Sequence, residues 1–163
     1  MTKSKTELIN VTINFDYCLK PKTKIYINDN LVETFVPETN TIVFSTEVKD
    51  KWSLQICHYD KNYSKDNDEY IEIKDILLND VSIGSMIWNT TQIPSDITSE
   101  EYSKYIWQGN LYLGHNGSCT WWFESPVEKM LRNFYSTNVN NTMRSQETTQ
   151  KTLDYMKKKF KIN

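Results

Sequence analysis

From Ile9 to Tyr17 the chain alternates without a fault: Ile9, Val11, Ile13, Phe15 and Tyr17 point one way, and Asn10, Thr12, Asn14 and Asp16 the other. A period of two carried by β-branched and aromatic residues marks a strand with one buried and one solvated face. The pattern recurs down the chain. Ile25 and Ile27 begin a second strand, Asn28-Asp29-Asn30 supplies turn chemistry, and Leu31 to Val36 returns before stopping at Pro37. Thr41 to Thr46 is a third β-branched patch. Trp52, Leu54, Ile56 and His58 then alternate with Ser53, Gln55, Cys57 and Tyr59. After a polar stretch from Asp60 to Asp68, Tyr70 to Leu78 resumes the β pattern, and Asn79-Asp80 turns it into Val81.

Between Ser85 and Ile106 the pattern is mixed: Ser99-Glu100-Glu101 has the look of a helix start, while Trp88 and Trp107 fit strands. From Ile106 to Phe123 the sequence predicts two strands around Gly114-His115-Asn116-Gly117, because an Asn-Gly pair between apolar runs is a hairpin signal. The character changes after Glu124. Ser125 as cap, Pro126 in the first turn and Glu128 as the partner of a capping box predict a helix. Its apolar face is Val127, Met130, Leu131, Phe134 and Tyr135. Thr137 to Thr142 reads as a linker. Ser145 to Phe160 reads as a second helix with Leu153, Met156 and Phe160 on one side and Lys157, Lys158 and Lys159 in its last turn, where the helix dipole favours them.

Short strands at intervals of roughly ten residues predict a mainly β fold, an antiparallel, jelly-roll-like β-sandwich with one or two C-terminal helices. The expected division is a sandwich over residues 1–126 and a helical extension over 127–163. A chain of 163 residues, 38% hydrophobic and 13% aromatic, suits a thin two-sheet core of large side chains. The net charge of −2 offers no basic field for nucleic acid. No apolar run approaches the roughly 18 residues of a membrane span. Three cysteines, Cys18, Cys57 and Cys119, are an odd count without a CxxC pair, which favours a reducing compartment and synthesis in a cytoplasm.

The chemistry of catalysis is thin, and the expectation is a protein that is not an enzyme. His58 and His115 are the two histidines, and no HExxH, Gly-rich phosphate loop or GxSxG elbow occurs. Cys57 and His58 are strand neighbours and face opposite ways, so they cannot act as a pair. Asp60, Asp66, Asp68 and Glu69 place hard oxygen donors on one loop and form the candidate calcium site, although the spacing is not that of an EF-hand. The readings otherwise leave no cofactor. Trp121 and Trp122 are adjacent, so on a strand one faces the core and the other the surface. The outward one is the candidate for a partner protein or for a sugar ring stacking on its face. With Leu153, Met156 and Phe160 of the C-terminal helix, these two tryptophans form the candidate partner-binding set.

Two segments carry a resemblance. One runs Ile71-Glu72-Ile73-Lys74-Asp75-Ile76-Leu77-Leu78-Asn79-Asp80-Val81-Ser82-Ile83-Gly84. The other is Leu113-Gly114-His115-Asn116-Gly117, followed by Trp121-Trp122-Phe123-Glu124-Ser125-Pro126. Together, over roughly Asp60 to Pro126, they resemble small β-sandwich structural proteins of tailed bacteriophages, which are similar in turn to calcium-dependent xylan-binding modules. That resemblance implies a non-enzymatic virion protein, capsid- or tail-associated, docking on other virion proteins in a multi-copy symmetric assembly. The alternative it implies is a carbohydrate-binding module for a surface glycan, with calcium as its expected cofactor. The C-terminal helices depart from a minimal sugar-binding module and read as an added docking element.

Overall fold

The structure, a computed structural model, describes residues 5–61, 68–95 and 107–142, together with Asp154, Lys158 and Lys159; for residues 138–142 it describes the backbone alone. Two antiparallel sheets pack into a sandwich, and a helix closes one end. The strands are β1 (Glu7–Cys18), β2 (Lys22–Ile27), β3 (Asn30–Phe35), β4 (Thr41–Val48), β5 (Lys51–Tyr59), β6 (Tyr70–Leu78), β7 (Val81–Ser82), β8 (Thr90–Pro94), β9 (Trp107–Gln108), β10 (Tyr112–Leu113) and β11 (Gly117–Glu124). The helix α1 spans Val127–Thr142, and one 3-10 turn spans Gly84–Trp88.

One sheet has five strands, ordered β10-β6-β1-β4, with β7 also paired to β6. The other has six, ordered β3-β2-β5-β11-β8-β9. The chain crosses between sheets at most connections, so the alternation in each strand must meet partners far away in sequence. Ile9, Val11, Ile13 and Phe15 of β1, Trp52, Leu54 and Ile56 of β5, Ile71, Ile73, Ile76 and Leu78 of β6, and Trp121 and Phe123 of β11 all turn inward and are buried. This interdigitating layer is the core, and the expected mainly β sandwich is the fold observed.

The two hairpin turns have the chemistry their sequences announce. Asn28 and Asp29 (φ 48° and 65°) join β2 to β3, and Asn79 and Asp80 (φ 50° and 66°) join β6 to β7. Asn and Asp tolerate the left-handed region that these two-residue turns require.

The segment Gly114 to Gly117 corrects an expectation. It is not a hairpin turn: β10 lies in the five-stranded sheet against β6, and β11 lies in the six-stranded sheet between β5 and β8. Neither Asn116 nor Gly117 has a positive φ. Gly117 is needed for another reason, since a Cβ there would stand 2.8 Å from the carbonyl oxygen of Ile93. Asn116 ties the arch down by accepting from the Lys61 amide at 2.8 Å.

The helix also differs from its reading. Its start is held by Glu7 of β1, which accepts from the Ser125 hydroxyl at 2.7 Å and from the Val127 amide at 3.0 Å. Glu128, the expected capping-box partner, pairs with Arg132 one turn on. A carboxylate at a helix N-terminus complements the dipole wherever in the chain it comes from. The helix runs through residues 137–142, where a linker was expected. Val127, Leu131 and Tyr135 belong to the same core as the strands, and the Tyr135 hydroxyl donates to the Ser82 carbonyl. Val127 to Tyr135 thus pack against the sandwich core. Of the expected second helix, Asp154, Lys158 and Lys159 are helical, and Lys159 donates to the Asn79 carbonyl.

Candidate functional site

Two places gather the polar and aromatic side chains that the sequence singled out: the outer face of the six-stranded sheet, and the sandwich end where β5 and β6 meet the Gly114–Gly117 arch.

At the sandwich end, His58 faces inward and bridges the two layers. Its Nδ1 lies 3.0 Å from the Leu113 carbonyl of β10, and its Nε2 lies 2.8 Å from Glu69 Oε1. A carbonyl only accepts, so Nδ1 carries the proton of the first bond. Lys61 donates its ammonium to the carbonyls of Glu69 and Gly114. Buried Gln92 of β8 makes a second cross-layer tie: its amide donates to the Tyr112 carbonyl at 2.8 Å, and its oxygen accepts from Asn110 at 3.1 Å. The His115 ring packs edge-on to Trp107. The hydrogen bonds satisfy the buried polar groups of His58 and Gln92.

The candidate calcium residues do not converge here. Asp60 is exposed and pairs with Lys22 at 3.4 Å, Asp68 is exposed, and Glu69 is engaged by His58. The Lys61 ammonium takes up the backbone carbonyls of Glu69 and Gly114. Asp66 lies outside the described residues. Among the described residues, no group of three or more His, Cys, Asp and Glu side chains is arranged to hold a metal.

Cys57 and Cys119 are held as thiols. Burial, helped by neighbouring Cys119, pushes Cys57 up to about 12, and burial pushes Cys119 up to about 11 against hydrogen bonds from Gln92 and Thr90. Both stay protonated at neutral pH and lack the thiolate that attack requires. Cys119 instead donates to the Asn110 carbonyl.

The outer face of the six-stranded sheet has a different composition. Cross-strand register sets Tyr26, Gln55, Thr120, Thr91 and Gln108 in one row across β2, β5, β11, β8 and β9. Lys24, Cys57, Ser118 and Ile93 form the next row, and Ser53 stands opposite Trp122. Trp122 is 71% exposed on β11, an interior strand of its sheet. A shallow hollow beside it is lined by Lys51, Phe123 and Glu124. Trp88 is exposed as well, at the end of the 3-10 turn that precedes β8.

The expected division of the tryptophan pair into one inward and one outward ring is observed. Trp121 is buried, and its indole donates to the Ile87 carbonyl at 2.8 Å. That corrects its place in the partner-binding set, because a core side chain is not available to a partner. Leu153, Met156 and Phe160 lie outside the described residues. Sequence reasoning missed the row of Tyr26, Gln55, Thr120 and Thr91 on the face that carries Trp122. Their alternation was legible, but the order in which their strands pair was not.

No protein-family model matches the chain, and no curated protein sequence matches it. Two solved structures are similar. One is vCBM60 in complex with galactobiose, 8% identical, with a TM-score of 0.49 over 69% of this chain and 96% of that one. The other is a selenomethionine form of vCBM60, 9% identical, with a TM-score of 0.48 over 69% of this chain and 89% of that one. That structure was described in connection with circular permutation as an evolutionary link between two families of calcium-dependent carbohydrate-binding modules.

Proposed function

We propose that this domain is a non-catalytic carbohydrate-binding module, and that its binding face is the outer surface of the six-stranded sheet. The observation that carries the proposal is Trp122, an exposed indole on an interior strand, with Ser53 opposite it, Thr120 one same-face step before it, and Lys51 and Glu124 lining the hollow at its side. A sugar ring has an apolar C–H face and an equatorial rim of hydroxyls. An exposed indole takes the first, and Gln55, Thr120 and Thr91 supply donors and acceptors for the second. The surface is an open platform, which suits a chain of several sugars better than a single enclosed one.

The reading does not draw on the acidic candidates: Glu69 is engaged by His58, Asp60 pairs with Lys22, and Asp68 is exposed away from the Trp122 face. The virion-docking expectation shares Trp122 but otherwise draws on Leu153, Met156 and Phe160. No observation favours it over sugar binding.

The experiment is a glycan array probed with the full chain and with Trp122→Ala, repeated with a chelator. The expected result is a set of glycans bound by the wild type with or without chelator and lost in the variant. Absence of binding to any glycan by the wild type would overturn the proposal.

A further inference from the structure

The outer edge of β4 is built differently from the other sheet edges. Strands β9 and β10 are two residues long, and β3 ends against Val36-Pro37 and pairs through an irregular register. Strand β4 runs Thr41–Val48 and pairs with β1 over eight consecutive positions without a bulge. It contains no Lys, Pro or Gly. Charges, prolines and bulges are the devices that keep an edge from pairing with another chain, and here the sole charge is Glu47. Among the described residues no strand meets its far side.

The direction of the free groups can be read from one bond. The Phe15 amide donates to the Asn40 carbonyl at 2.9 Å, which makes that pair hydrogen-bonded. Counting along the register, Ile42, Phe44, Thr46 and Val48 direct their backbone groups to β1. Thr41, Val43, Ser45 and Glu47 direct theirs outward.

We propose that the occupant of this edge is a second copy of the chain, with β4 pairing antiparallel to β4 about a two-fold axis at Phe44. That register sets Thr41 opposite Glu47 of the second copy and Val43 opposite Ser45, and so uses all four outward residues. A shift in either direction leaves groups unpaired. No like charges face each other, because each Glu47 meets a threonine. At the axis the two Phe44 residues form a non-hydrogen-bonded pair, the closer of the two antiparallel spacings. The packing supports the same occupant. Ile42 and Phe44, with Val32 and Phe35 of β3, face the core but are only partly covered, and Val43 and Leu8, on the outer face of the same sheet, are 64% and 67% exposed. Each copy supplies the apolar cover that the other lacks.

The pairing axis is perpendicular to the joined sheet, so both six-stranded sheets lie on the same side of the dimer. Self-association does not depend on the sugar-binding reading. If that reading holds, the two Trp122 platforms face one surface together and bind a polymeric glycan by avidity.

The test is sedimentation equilibrium of the full chain from micromolar to millimolar concentration. The wild type is expected to approach twice its chain mass of 19.3 kDa. Val43→Pro removes an outward donor without touching the β1 ladder, and Val43→Lys adds an edge charge. Each is expected to raise the dimer dissociation constant by at least about tenfold while the circular dichroism melt stays cooperative. A wild type that is monomeric throughout would overturn the proposal. So would a dimer that both folded variants leave intact, or a foreign strand found on this edge in place of a second copy.

Discussion

On the outer face of the five-stranded sheet the polar side chains satisfy one another. Ser45 donates to Asn10 at 2.6 Å, Thr41 donates to Asn14 at 2.9 Å, and Lys74 bridges Glu72 at 2.8 Å and Asp16 at 3.6 Å. The outer face of the six-stranded sheet uses the same chemical groups more loosely. Gln55 reaches Ser118 at 3.2 Å and Thr91 reaches Gln108 at 3.3 Å, with an exposed indole between those strands. A glutamine amide and a threonine hydroxyl each have more donors and acceptors than these single bonds use, which leaves capacity for a ligand. The first face is closed by its own network, and the second remains open. A polar sheet surface is therefore not a binding surface by composition alone; what matters is whether its side chains are already matched.

The sharpest contrast lies within one dipeptide. Trp121→Ala removes a buried ring and its bond to Ile87 and is expected to cost about 3–5 kcal/mol in a urea melt. Trp122→Ala, one residue on, is expected to leave the melt within about 0.5 kcal/mol. Equal effects would mean that the two rings do not face opposite sides. Glu7→Ala is next in size. It strips the start of α1 of its carboxylate, and about 2 kcal/mol is expected from losing two charge-assisted bonds. Loss of helical signal before the sheet melts would locate the damage at that end.

These first contrasts also show where sequence reading succeeds. Trp121 and Trp122 could be assigned to opposite faces because alternation is local. The turns at Asn28-Asp29 and Asn79-Asp80 were legible for the same reason, since each needs only residues that accept a positive φ. Asn116-Gly117 offered the same local signal and meant something else. Gly117 is fixed by the approach of the Ile93 carbonyl, and Asn116 by the Lys61 backbone, both brought there by sheet order. Glu7 as the helix cap was hidden for that reason too, because its partner lies at the other end of the sequence. The candidate site was half visible: the outward ring was readable, and the row on β2, β5 and β8 that shares its face was not.

Smaller changes sharpen the comparison between faces. Gln55→Ala is expected to weaken glycan binding about fivefold, the value of one good hydrogen bond, with little effect on stability. Ser45→Ala, on the closed face, should leave binding unchanged in the same calorimetric titration.

Asp75 gives the smallest effect and a pH signature. Burial raises its carboxyl above the usual value of 3.8, opposed by hydrogen bonds from the Ser82 hydroxyl and the Ile76 amide. A raised folded value means that the fold prefers the protonated form. The ionised group therefore works against folding at neutral pH, and this penalty fades as pH falls through the raised value. Asp75→Asn keeps an acceptor for both donors. It should raise the melting temperature slightly at neutral pH, with the gain disappearing in acid once both states of the wild type carry the proton. A gain that persists in acid would assign the effect to packing.

The central claim is that the open face, and not the end near His58 and Glu69, is where a sugar binds. An amide and indole NMR titration of the full chain with a glycan selected from the array tests it directly. The account predicts shifts at the Trp122 indole, Gln55, Thr120 and Thr91, with the His58, Lys61 and Asn116 signals unmoved. Shifts gathered at His58, Lys61 and Asn116, with Trp122 unchanged, would contradict it.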